Sequence, residues 1–331
     1  MTVASLDIVA IGNAIVDVIA TADETFLISE NLAKGSMQLI SAERATDLYS
    51  KMGPGREISG GSAANTVAGM ASLGRKCGFI GQVANDQLGN VFSHDIRAID
   101  VAFTTPIREG EPPTAQCLIL VTPDGQRTMN TFLGASQYLP VSALDRAMIE
   151  SAAILYLEGY LWDPEEPRAA MQGAIRIARE AGRKVAFTLS DAFCIERHRD
   201  SFNALIDNGE IDILFANEAE MHSLMQSDDF DGSVATIAAK VPLLVVTRGE
   251  HGALAVKDGV RVEVHAESVA KVVDTTGAGD LFAAGFLAGH VAGRSVADSL
   301  TMGAICAAEV ISHYGPRPEA DLTALVAARL G

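Results

Sequence analysis

The sequence predicts an α/β fold in which helices cover both faces of a mostly parallel β-sheet. From about residue 151 onward, short apolar runs rich in β-branched residues alternate with segments of helical periodicity. Polar residues directly follow several of these runs, which is typical of strands that end at the ligand-binding edge of such a sheet. Two runs at 114–121 and 126–133 have only a turn between them, so they predict a small second sheet beside the main one.

Composition narrows the class of protein. The 331 residues, 48% hydrophobic and 20% charged, suffice for a large core, and we expect one soluble globular domain over residues 1–331. A formal net charge of −17 disfavours nucleic acid and anionic membranes as partners, and monomer and homodimer both stay open. We expect a cytoplasmic protein, because no basic leader and no apolar run of about 18 residues occur. The cysteines are too scattered to predict a metal cluster or disulfide framework: Cys77, Cys117, Cys194 and Cys306.

The N-terminal region predicts a strand followed by two candidate substrate-binding residues. Residues 6–13 form a buried apolar run that ends in a turn, and residues 14–20 continue as an extended segment. Asn13 and Asp17 interrupt this apolar sequence four positions apart. They either bind the hydroxyls of a sugar or, equally well, are a turn residue and an exposed strand residue.

A pair of glycines precedes a helix of small residues, after an earlier helix at 41–50 with Ser41 as its N-cap. Gly60 and Gly61 permit close approach of the backbone to a ligand, and the small side chains up to residue 74 permit tight packing on a sheet. Asn65 falls in the first turn of this helix and faces the same predicted site. A tight loop before a closely packed helix accounts for these residues equally well without a ligand.

The middle of the chain predicts a lid. Strands at 76–84 and 101–103 flank a helix at 87–99, and Pro123, Asp124 and Gly125 form the turn between the strands at 114–121 and 126–133. We expect a discontinuous β lid built from about residues 14–40 and 105–135. Arg127 lies just past the turn, where closure of the lid would bring it to a phosphate, although a solvent-facing hairpin arginine is the commoner arrangement.

The second half predicts alternating strands and helices, with strands at 154–157, 184–189, 211–216 and 243–247 and helices at 167–181, 218–226, 278–292 and 298–312. Asn217 and Glu220 stand three apart at a helix start, where an amide and a carboxylate are able to order water around Mg²⁺. Thr247 and Gly249 follow the next strand and offer a hydroxyl and a flexible backbone to a phosphate. N-capping and an ordinary strand-turn are the structural alternatives.

Residues 273–280 form a Gly-rich turn that opens directly into the helix predicted at 278–292. Such a turn aims unpaired backbone N–H groups at one point, and the helix dipole adds partial positive charge, so Gly277, Ala278 and Gly279 suit a phosphate. Asp280 stands beside this anion site, where a carboxylate is able to take the proton of an attacking hydroxyl. Taken alone, an aspartate here is more often a helix cap.

Other catalytic motifs are incomplete. His198, Arg199 and Asp200 copy part of a protein-kinase catalytic loop, but the asparagine five positions later and the other kinase motifs are missing from the sequence. The sequence contains no P-loop and no dinucleotide-binding fingerprint, which disfavours a nicotinamide-dependent oxidoreductase. The seven histidines lack metal-ligand spacing.

Four motifs resemble, in the same order, those of the ribokinase-like (PfkB-type) sugar and nucleoside kinases: 60–65, 217–220, 247–249 and 274–280. The resemblance covers essentially the whole chain. It implies a Rossmann-like three-layer α/β/α sandwich with a mostly parallel sheet and a small β-sheet lid. It also implies that ATP donates its γ-phosphate to a primary hydroxyl of a sugar or nucleoside.

The resemblance further implies roles for individual residues. Asp280 would be the base beside the anion hole, and Arg127 would approach the transferred phosphate from the lid. Glu220 would hold Mg²⁺ through water, and the backbone of Asp274 and Thr276 is a candidate site for the K⁺ that many members bind. The remaining implied residues are Gly277, Ala278 and Gly279 in the anion hole; Asn217, Thr247, Gly249 and Thr276 around Mg-ATP; and Asn13, Asp17, Gly60, Gly61 and Asn65 around the acceptor.

The acceptor is predicted from smaller features. The four-residue spacing of Asn13 and Asp17, together with residues 156–160 and 187–190, looks like the adenosine kinase branch. Glu158 departs from that branch, because an acidic residue here is more at home in sugar-kinase pockets, where it contacts a sugar hydroxyl. We therefore expect adenosine as acceptor, with ribose, fructose or 2-keto-3-deoxygluconate as alternatives and a non-catalytic nucleoside or nucleotide sensor as a remote one.

Overall fold

The computed structural model describes residues 4–331, and within them it contains 14 strands and 12 α-helices. The strands are β1 (Leu6–Ile11), β2 (Ile15–Thr21), β3 (Met37–Leu39), β4 (Arg56–Gly60), β5 (Cys77–Ile80), β6 (Ala102–Phe103), β7 (Ala115–Val121), β8 (Arg127–Phe132), β9 (Ala152–Glu158), β10 (Lys184–Thr188), β11 (Ile213–Asn217), β12 (Leu243–Thr247), β13 (Ala253–Lys257) and β14 (Val260–Val264). The helices are α1 (Glu24–Ser29), α2 (Ala42–Lys51), α3 (Ser62–Ser72), α4 (Gln87–Ala98), α5 (Arg146–Ser151), α6 (Glu165–Glu180), α7 (Ala192–Asp207), α8 (Glu218–Met225), α9 (Phe230–Ala238), α10 (Ala278–Val291), α11 (Val296–Val310) and α12 (Leu322–Leu330).

Nine strands in the described part of the chain form the main sheet, in the order β14-β13-β12-β11-β10-β9-β1-β5-β6. The strands from β12 to β6 run parallel, and the hairpin of β13 and β14 adds an antiparallel edge. This confirms the predicted α/β class with a mostly parallel sheet. The parallel arrangement brings the carboxyl ends of β1, β9, β10, β11 and β12 to one edge, where polar residues collect.

The core consists of two buried clusters, one on each face of the main sheet. In β9, Ile154 and Tyr156 belong to one buried cluster, and Leu155 and Leu157 belong to the other. Successive side chains of a strand point to opposite faces, so a sheet covered on both sides requires apolar residues at every position. Helices α3, α10, α11 and α12 supply residues to the first cluster, and α5 to α9 supply residues to the second, which gives three layers.

A second sheet lies beside the sandwich, and within the described residues it has five strands in the order β3-β8-β7-β2-β4. The hairpin of β7 and β8 is antiparallel, as expected from Pro123-Asp124-Gly125. The small sheet is mixed, because β2 pairs in parallel with β7. It also includes β4, at residues 56–60, where the sequence analysis predicted no strand. Strand β1 of the main sheet is followed directly by β2 of the small sheet, so Asp17 lies on the small sheet.

Local signals account for most helix starts. The side chain of Ser41 accepts a hydrogen bond from the N–H of Arg44, as an N-cap does, and Asp86 does the same for Gly89 in α4. Helix α7 contains His198, Arg199 and Asp200, so these residues do not form a catalytic loop. None of the helices in residues 4–331 is long and apolar enough to cross a membrane. All four cysteines are buried and unpaired.

Candidate active site

Two adjoining cavities in the described part of the chain meet at the start of α10. One has a volume of about 380 Å³ and is lined by polar residues of α3, α8 and α10 together with several aromatic rings. The other has a volume of about 560 Å³ and is lined mostly by small and apolar residues of α10, α11 and the segment before them. We call them the polar cavity and the apolar cavity. Both cavities are lined by Thr247, Thr275, Ala278, Gly279 and Phe282.

The turn before α10 separates the two cavities. Gly277 has a φ of 78°, a left-handed conformation that glycine adopts readily, and a Cβ on this residue would lie 2.8 Å from Cβ of Pro316. The N–H of Ala278 donates to the carbonyl of Thr275 at 3.2 Å, so this predicted anion-hole donor already has a partner. The N–H groups of Gly277 and Gly279 have no hydrogen-bond partner among residues 4–331. They are the donors that a phosphate can use here.

Asp280 lies in the first turn of α10 and lines the polar cavity. Its carboxylate accepts hydrogen bonds from Oγ of Ser62 at 2.6 Å and from Nδ2 of Asn65 at 3.0 Å. Burial raises the pKa of Asp280, whereas these two hydrogen bonds and the positive charge of Arg317 oppose the rise. A carboxylate with a raised pKa and a fixed orientation is suited to accept a proton.

Asp17 forms the opposite wall of the polar cavity. Its side chain is only 7% exposed, and its Oδ2 lies where a Cβ on Gly60 would come within 2.5 Å. Gly61 also lines the cavity, with a φ of 100° that begins α3. Burial raises the pKa of Asp17 to about 6, against the opposing charges of Arg127 and Arg317. Asp17 and Asp280 therefore place two carboxylates on one small cavity.

Glu158 and Asn13 do not line either cavity. Glu158 is fully buried, and Oε1 accepts hydrogen bonds from the backbone N–H and Nδ2 of Asn13, at 2.8 and 2.6 Å. Its Oε2 accepts from the N–H of Ala63 at 2.7 Å, and Oδ1 of Asn13 accepts from Oγ of Ser136 at 2.8 Å. The geometry thus gives no support to the expected contacts of Glu158 and Asn13 with a substrate hydroxyl. Glu158 instead joins the β1–β2 turn to the start of α3.

Asn217 and Glu220 form a capping box at the start of α8 and also line the polar cavity. Glu220 accepts from the N–H and Nδ2 of Asn217, at 2.9 and 2.7 Å, and Oδ1 of Asn217 accepts from the N–H of Glu220 at 2.8 Å. Burial raises the pKa of Glu220 to about 7. One carboxylate and one amide at the cavity wall fit a Mg²⁺ ion held chiefly by water and phosphate oxygens.

Arg127 is buried against the loop before α10 instead of facing solvent. Its Nη1 donates to Oδ2 of Asp274 in an ion pair whose two side chains are almost fully enclosed. Nε and Nη2 of Arg127 have no hydrogen-bond partner in the described part of the chain. Arg127 does not line either cavity in this arrangement, yet its two free donors lie next to the loop that contains the anion site.

The carboxylate of Asp274 already accepts several hydrogen bonds, and this affects which of its atoms could bind a K⁺ ion. Its Oδ1 accepts from the N–H of Thr276 and its Oδ2 accepts from the N–H of Gly315, each at 3.0 Å, in addition to the bond from Arg127. The guanidinium supplies the positive charge that balances this carboxylate. Any monovalent cation here would therefore depend on the backbone carbonyls of Asp274 and Thr276.

The structure brings most of the other predicted residues to the cavities. Asn65, Gly277 and Thr276 line the polar cavity, Gly249 lines the apolar one, and Thr247 lines both. Sequence reasoning missed Ser62 and Arg317, which hold or face Asp280 from positions far away in the chain. Ser62 lies inside the Gly-rich stretch at 60–65, so its residue type and position were a usable signal. The polar cavity is also lined by Tyr156 and Tyr160, which belong to the stretch 156–160 that resembles the adenosine kinase branch, and by Phe215, which the sequence did not indicate.

Known proteins share this architecture. A solved structure of a probable sugar kinase from Rhizobium etli CFN 42 is 46% identical and superposes with a TM-score of 0.91, covering 98% of each chain. The solved adenosine kinase from Sinorhizobium meliloti is 48% identical, with a TM-score of 0.90 and coverage of 98% of this chain and 99% of that one. A fructokinase of Salmonella typhimurium is 27% identical over 78% of this chain and 87% of its own.

The family assignment follows from sequence over nearly the whole length. The family model described as pfkB family carbohydrate kinase matches residues 6–322. The match includes both glycine-rich turns, the capping box of α8 and the second sheet. The chain therefore belongs to the pfkB family of carbohydrate kinases, and it is a phosphotransferase.

Proposed function

We propose that this kinase transfers the γ-phosphate of ATP to the primary hydroxyl of a nucleoside, adenosine, to form AMP and ADP. The observation that carries the proposal is the position of Asp280, at the junction of a polar and an apolar cavity and beside two free backbone N–H groups. The apolar cavity suits the adenine and ribose of ATP, and the polar cavity suits the acceptor. The phosphates would then lie across the start of α10.

The proposed reaction is an in-line displacement. Asp280 takes the proton of the acceptor hydroxyl, whose oxygen forms a bond to the γ-phosphorus while the bond to the β,γ-bridging oxygen breaks. The N–H groups of Gly277 and Gly279 stabilise the charge on the transferred group, and ADP leaves with the electrons of the broken bond. Ser62 and Asn65 keep the Asp280 carboxylate oriented before it accepts the proton. Asp17 holds the sugar hydroxyls of the acceptor.

Mg²⁺ fits the proposal through Asn217 and Glu220. When bound, it neutralises charge on the phosphates of ATP. Glu220 would hold its water ligands, with Asn217 fixing the carboxylate by two hydrogen bonds. We further propose that the small sheet acts as a lid and that Arg127, with its two unpartnered donors, contacts the transferred phosphate. We also propose that the backbone carbonyls of Asp274 and Thr276 bind K⁺.

Adenosine is supported as acceptor by the lining of the polar cavity. Tyr156, Tyr160 and Phe215 provide aromatic surface near Asp17, which is the kind of surface on which a purine ring packs. The 48% identical protein from Sinorhizobium meliloti, described as an adenosine kinase, supports the same choice. A free sugar would leave much of this aromatic surface without contact.

A sugar acceptor is the second candidate, because relatives at 26–29% identity include fructokinases and 5-dehydro-2-deoxygluconokinases. The burial of Glu158 away from the cavity weighs against it, since this residue was the sequence feature that favoured a sugar pocket. A non-catalytic nucleoside sensor is a more distant alternative, because Asp280 and the anion-site glycines are all present.

The proposal is tested by ADP release with Mg-ATP and each of adenosine, inosine, ribose, fructose and 2-keto-3-deoxygluconate. We expect turnover with adenosine, and we expect Asp280→Asn to lower it about 100- to 10,000-fold, because an amide cannot accept the proton. Asp298→Asn is the matched control, since Asp298 occupies the first turn of α11 and lines neither cavity.

The outcomes separate the candidates. Turnover with a free sugar alone would move the assignment to a sugar kinase and leave the mechanism unchanged. Full turnover by Asp280→Asn would remove Asp280 from the role of base. No turnover with any acceptor, combined with ATP binding in calorimetry, would favour the sensor.

A further inference from the structure

The segment that follows α11 contacts both glycine-rich turns of the site. The N–H of Gly315 donates to Oδ2 of Asp274 at 3.0 Å. Pro316 packs against Gly277 so closely that a Cβ on the glycine would lie 2.8 Å from Cβ of Pro316. Arg317 then reaches the turn before α3. Three successive residues thus touch the anion-site loop on one side and the acceptor-site turn on the other.

The guanidinium of Arg317 binds the backbone on both sides of the turn that begins α3. Nε and Nη2 donate to the carbonyl of Ser59 at 3.1 and 2.8 Å, and Nη1 donates to the carbonyl of Ala64 at 2.9 Å. Nη2 also donates to Oγ of Ser59 at 3.1 Å. Between these anchors lies Ser62, and directly after them lies Asn65, which are the two residues that hold Asp280.

The turn held in this way is demanding in its geometry. Gly61 has a φ of 100°, and a Cβ there would lie 2.2 Å from the carbonyl oxygen of Asn13. Position 61 therefore requires glycine, which has no side chain with which to stabilise the turn. Contacts from neighbouring segments stabilise it instead. Arg317 supplies four hydrogen bonds from a planar, rigid donor set, which is a geometry that a lysine cannot reproduce.

The positive charge of Arg317 also acts on the carboxylates of Asp17 and Asp280. It lowers the pKa of Asp17 and of Asp280, opposing the rise caused by burial. Other titratable groups around these two carboxylates and around Arg317 come from several elements and are unchanged by substitutions at position 317: Arg127, Glu158, Tyr156, Tyr160, Asp274, Cys117 and Asp95.

We propose that Arg317 is a positioning residue for phosphoryl transfer, which ties the C-terminal segment to the turn before α3 and so holds Ser62 and Asn65 against Asp280. The inference rests on the proposed function, since it concerns the base and the acceptor site of that reaction. A second effect follows from the same position, because the charge of the guanidinium opposes the rise in the pKa of both carboxylates that burial causes.

The test compares Arg317→Lys with Arg317→Met. The lysine keeps the charge but loses the fork of hydrogen bonds, so we expect KM for the acceptor to rise about tenfold with the acid limb of the pH profile in place. The methionine also removes the charge, so we expect the acid limb of kcat/KM to move to higher pH by on the order of one unit. KM for ATP should change little in both variants.

Arg97→Met is the matched control, because Arg97 also binds a backbone carbonyl, that of Phe103 at 2.9 Å, but on α4 and away from both cavities. It should leave KM and the pH profile as in the wild type. If Arg317→Met does not fold, Arg317→Gln provides the charge-neutral comparison. An unchanged acceptor KM in Arg317→Lys, or the same acid limb in wild type and the neutral variant, would overturn the inference.

A separate readout keeps this test distinct from the proposed function. If the wild type phosphorylates no acceptor, the proposed function fails, and the ¹³C carboxyl resonances of labelled aspartates still report on Arg317. We expect two carboxyl titrations, assigned with Asp17→Asn and Asp280→Asn, to move to higher pH in Arg317→Met. Titrations that do not move would contradict the electrostatic role of Arg317.

Discussion

Buried carboxylates distinguish this site at the scale of single residues. Asp17, Glu158, Glu220 and Asp280 all have a raised pKa because burial removes water from the charged form. Their partners differ, and so do the roles that we assign to them. Glu158 is satisfied by neighbouring backbone and amide groups away from the cavities, whereas Asp17, Glu220 and Asp280 line the polar cavity.

Asp17→Ala should weaken acceptor binding while leaving ATP binding largely intact. Removing a charged hydrogen-bond acceptor from a buried site costs about 1.5–3 kcal/mol, so KM for adenosine should rise about 10- to 100-fold. Steady-state kinetics with each substrate varied in turn measures the effect. Because the pKa of Asp17 is about 6, acceptor KM in the wild type should also rise as pH falls through 6. Equal increases in KM for both substrates would contradict the role.

Arg127→Met should strongly destabilise the protein. The change leaves the buried Asp274 carboxylate without its cation, and breaking a buried pair in this way costs about 3–5 kcal/mol. Denaturant unfolding measures the loss, and turnover should fall as well if Arg127 contacts the phosphate. Arg261→Met is the control, because Arg261 pairs with Asp231 and Glu263 at the surface, where such pairs contribute only about 0–1 kcal/mol. Equal losses in the two variants would argue against a special role for the buried pair.

At the scale of secondary structure, the site is built where the starts of α3 and α10 meet. Both helices begin at a glycine with positive φ, Gly61 at 100° and Gly277 at 78°, and side chains of the first helix hold a side chain of the second. Neither N-cap residue has a side chain that could cap its helix. At the start of α10 the N–H groups of Gly277 and Gly279 therefore remain available to a ligand, which is a cost in stability that serves binding.

Gly61→Ala should disrupt this arrangement. The added Cβ would lie 2.2 Å from the carbonyl oxygen of Asn13, and the φ of 100° is unfavourable for alanine. We expect a destabilisation of about 1–3 kcal/mol and a raised acceptor KM, because the turn that holds Ser62 must shift. Thermal unfolding and kinetics provide the measurements. Gly53→Ala is the control, since a Cβ on Gly53 meets nothing within 4 Å, and a similar loss in that variant would refute the argument.

At the scale of the whole molecule, the buried carboxylates predict how stability depends on pH. The pKa of Glu158 and of Glu220 is raised to about 7, so their stabilising contribution is present at lower pH and lost as pH rises through 7. Lowering pH from 8 to 6.5 should therefore increase the free energy of unfolding by about 1–2 kcal/mol. His290, with its pKa lowered to about 4, acts in the opposite direction as pH falls through 6.5 and offsets about 0.4 kcal/mol of this increase.

Denaturant unfolding at several pH values measures this slope. Glu220→Gln should remove about half of it, because a glutamine keeps the shape of the capping box and cannot titrate. A wild-type stability that stays flat or rises from pH 6.5 to 8 would show that these carboxylates do not ionise as inferred.

Most elements were predictable because their signals are local. The alternation of apolar runs and helical segments predicted the parallel sheet, and Ser41, Asp86 and the Pro123-Asp124-Gly125 turn marked their elements within a few residues. Several elements were missed, among them helix α7 and the β13–β14 hairpin, although both carry a local signal: Asp191 caps α7, and Asp258-Gly259 forms the two-residue turn of the hairpin. The mixed pairing of β2 with β7 could not be predicted, because strand partners across long loops leave no local mark.

The sequence by itself determined the fold class and the family, because short motifs near Asp280 and Gly61 carry that information, and from the same motifs it predicted the candidate base and anion site. Only the tertiary structure decided which polar residues face the cavity and which form hydrogen bonds with one another instead. Glu158 forms hydrogen bonds with Asn13 and Ala63, and Arg127 forms one with Asp274. Arg317 forms hydrogen bonds with the turn before α3, which lies more than 250 positions earlier in the chain. Hydrogen-bond satisfaction in a buried site depends on groups that meet only after the chain has folded, so residue type and spacing alone cannot specify it.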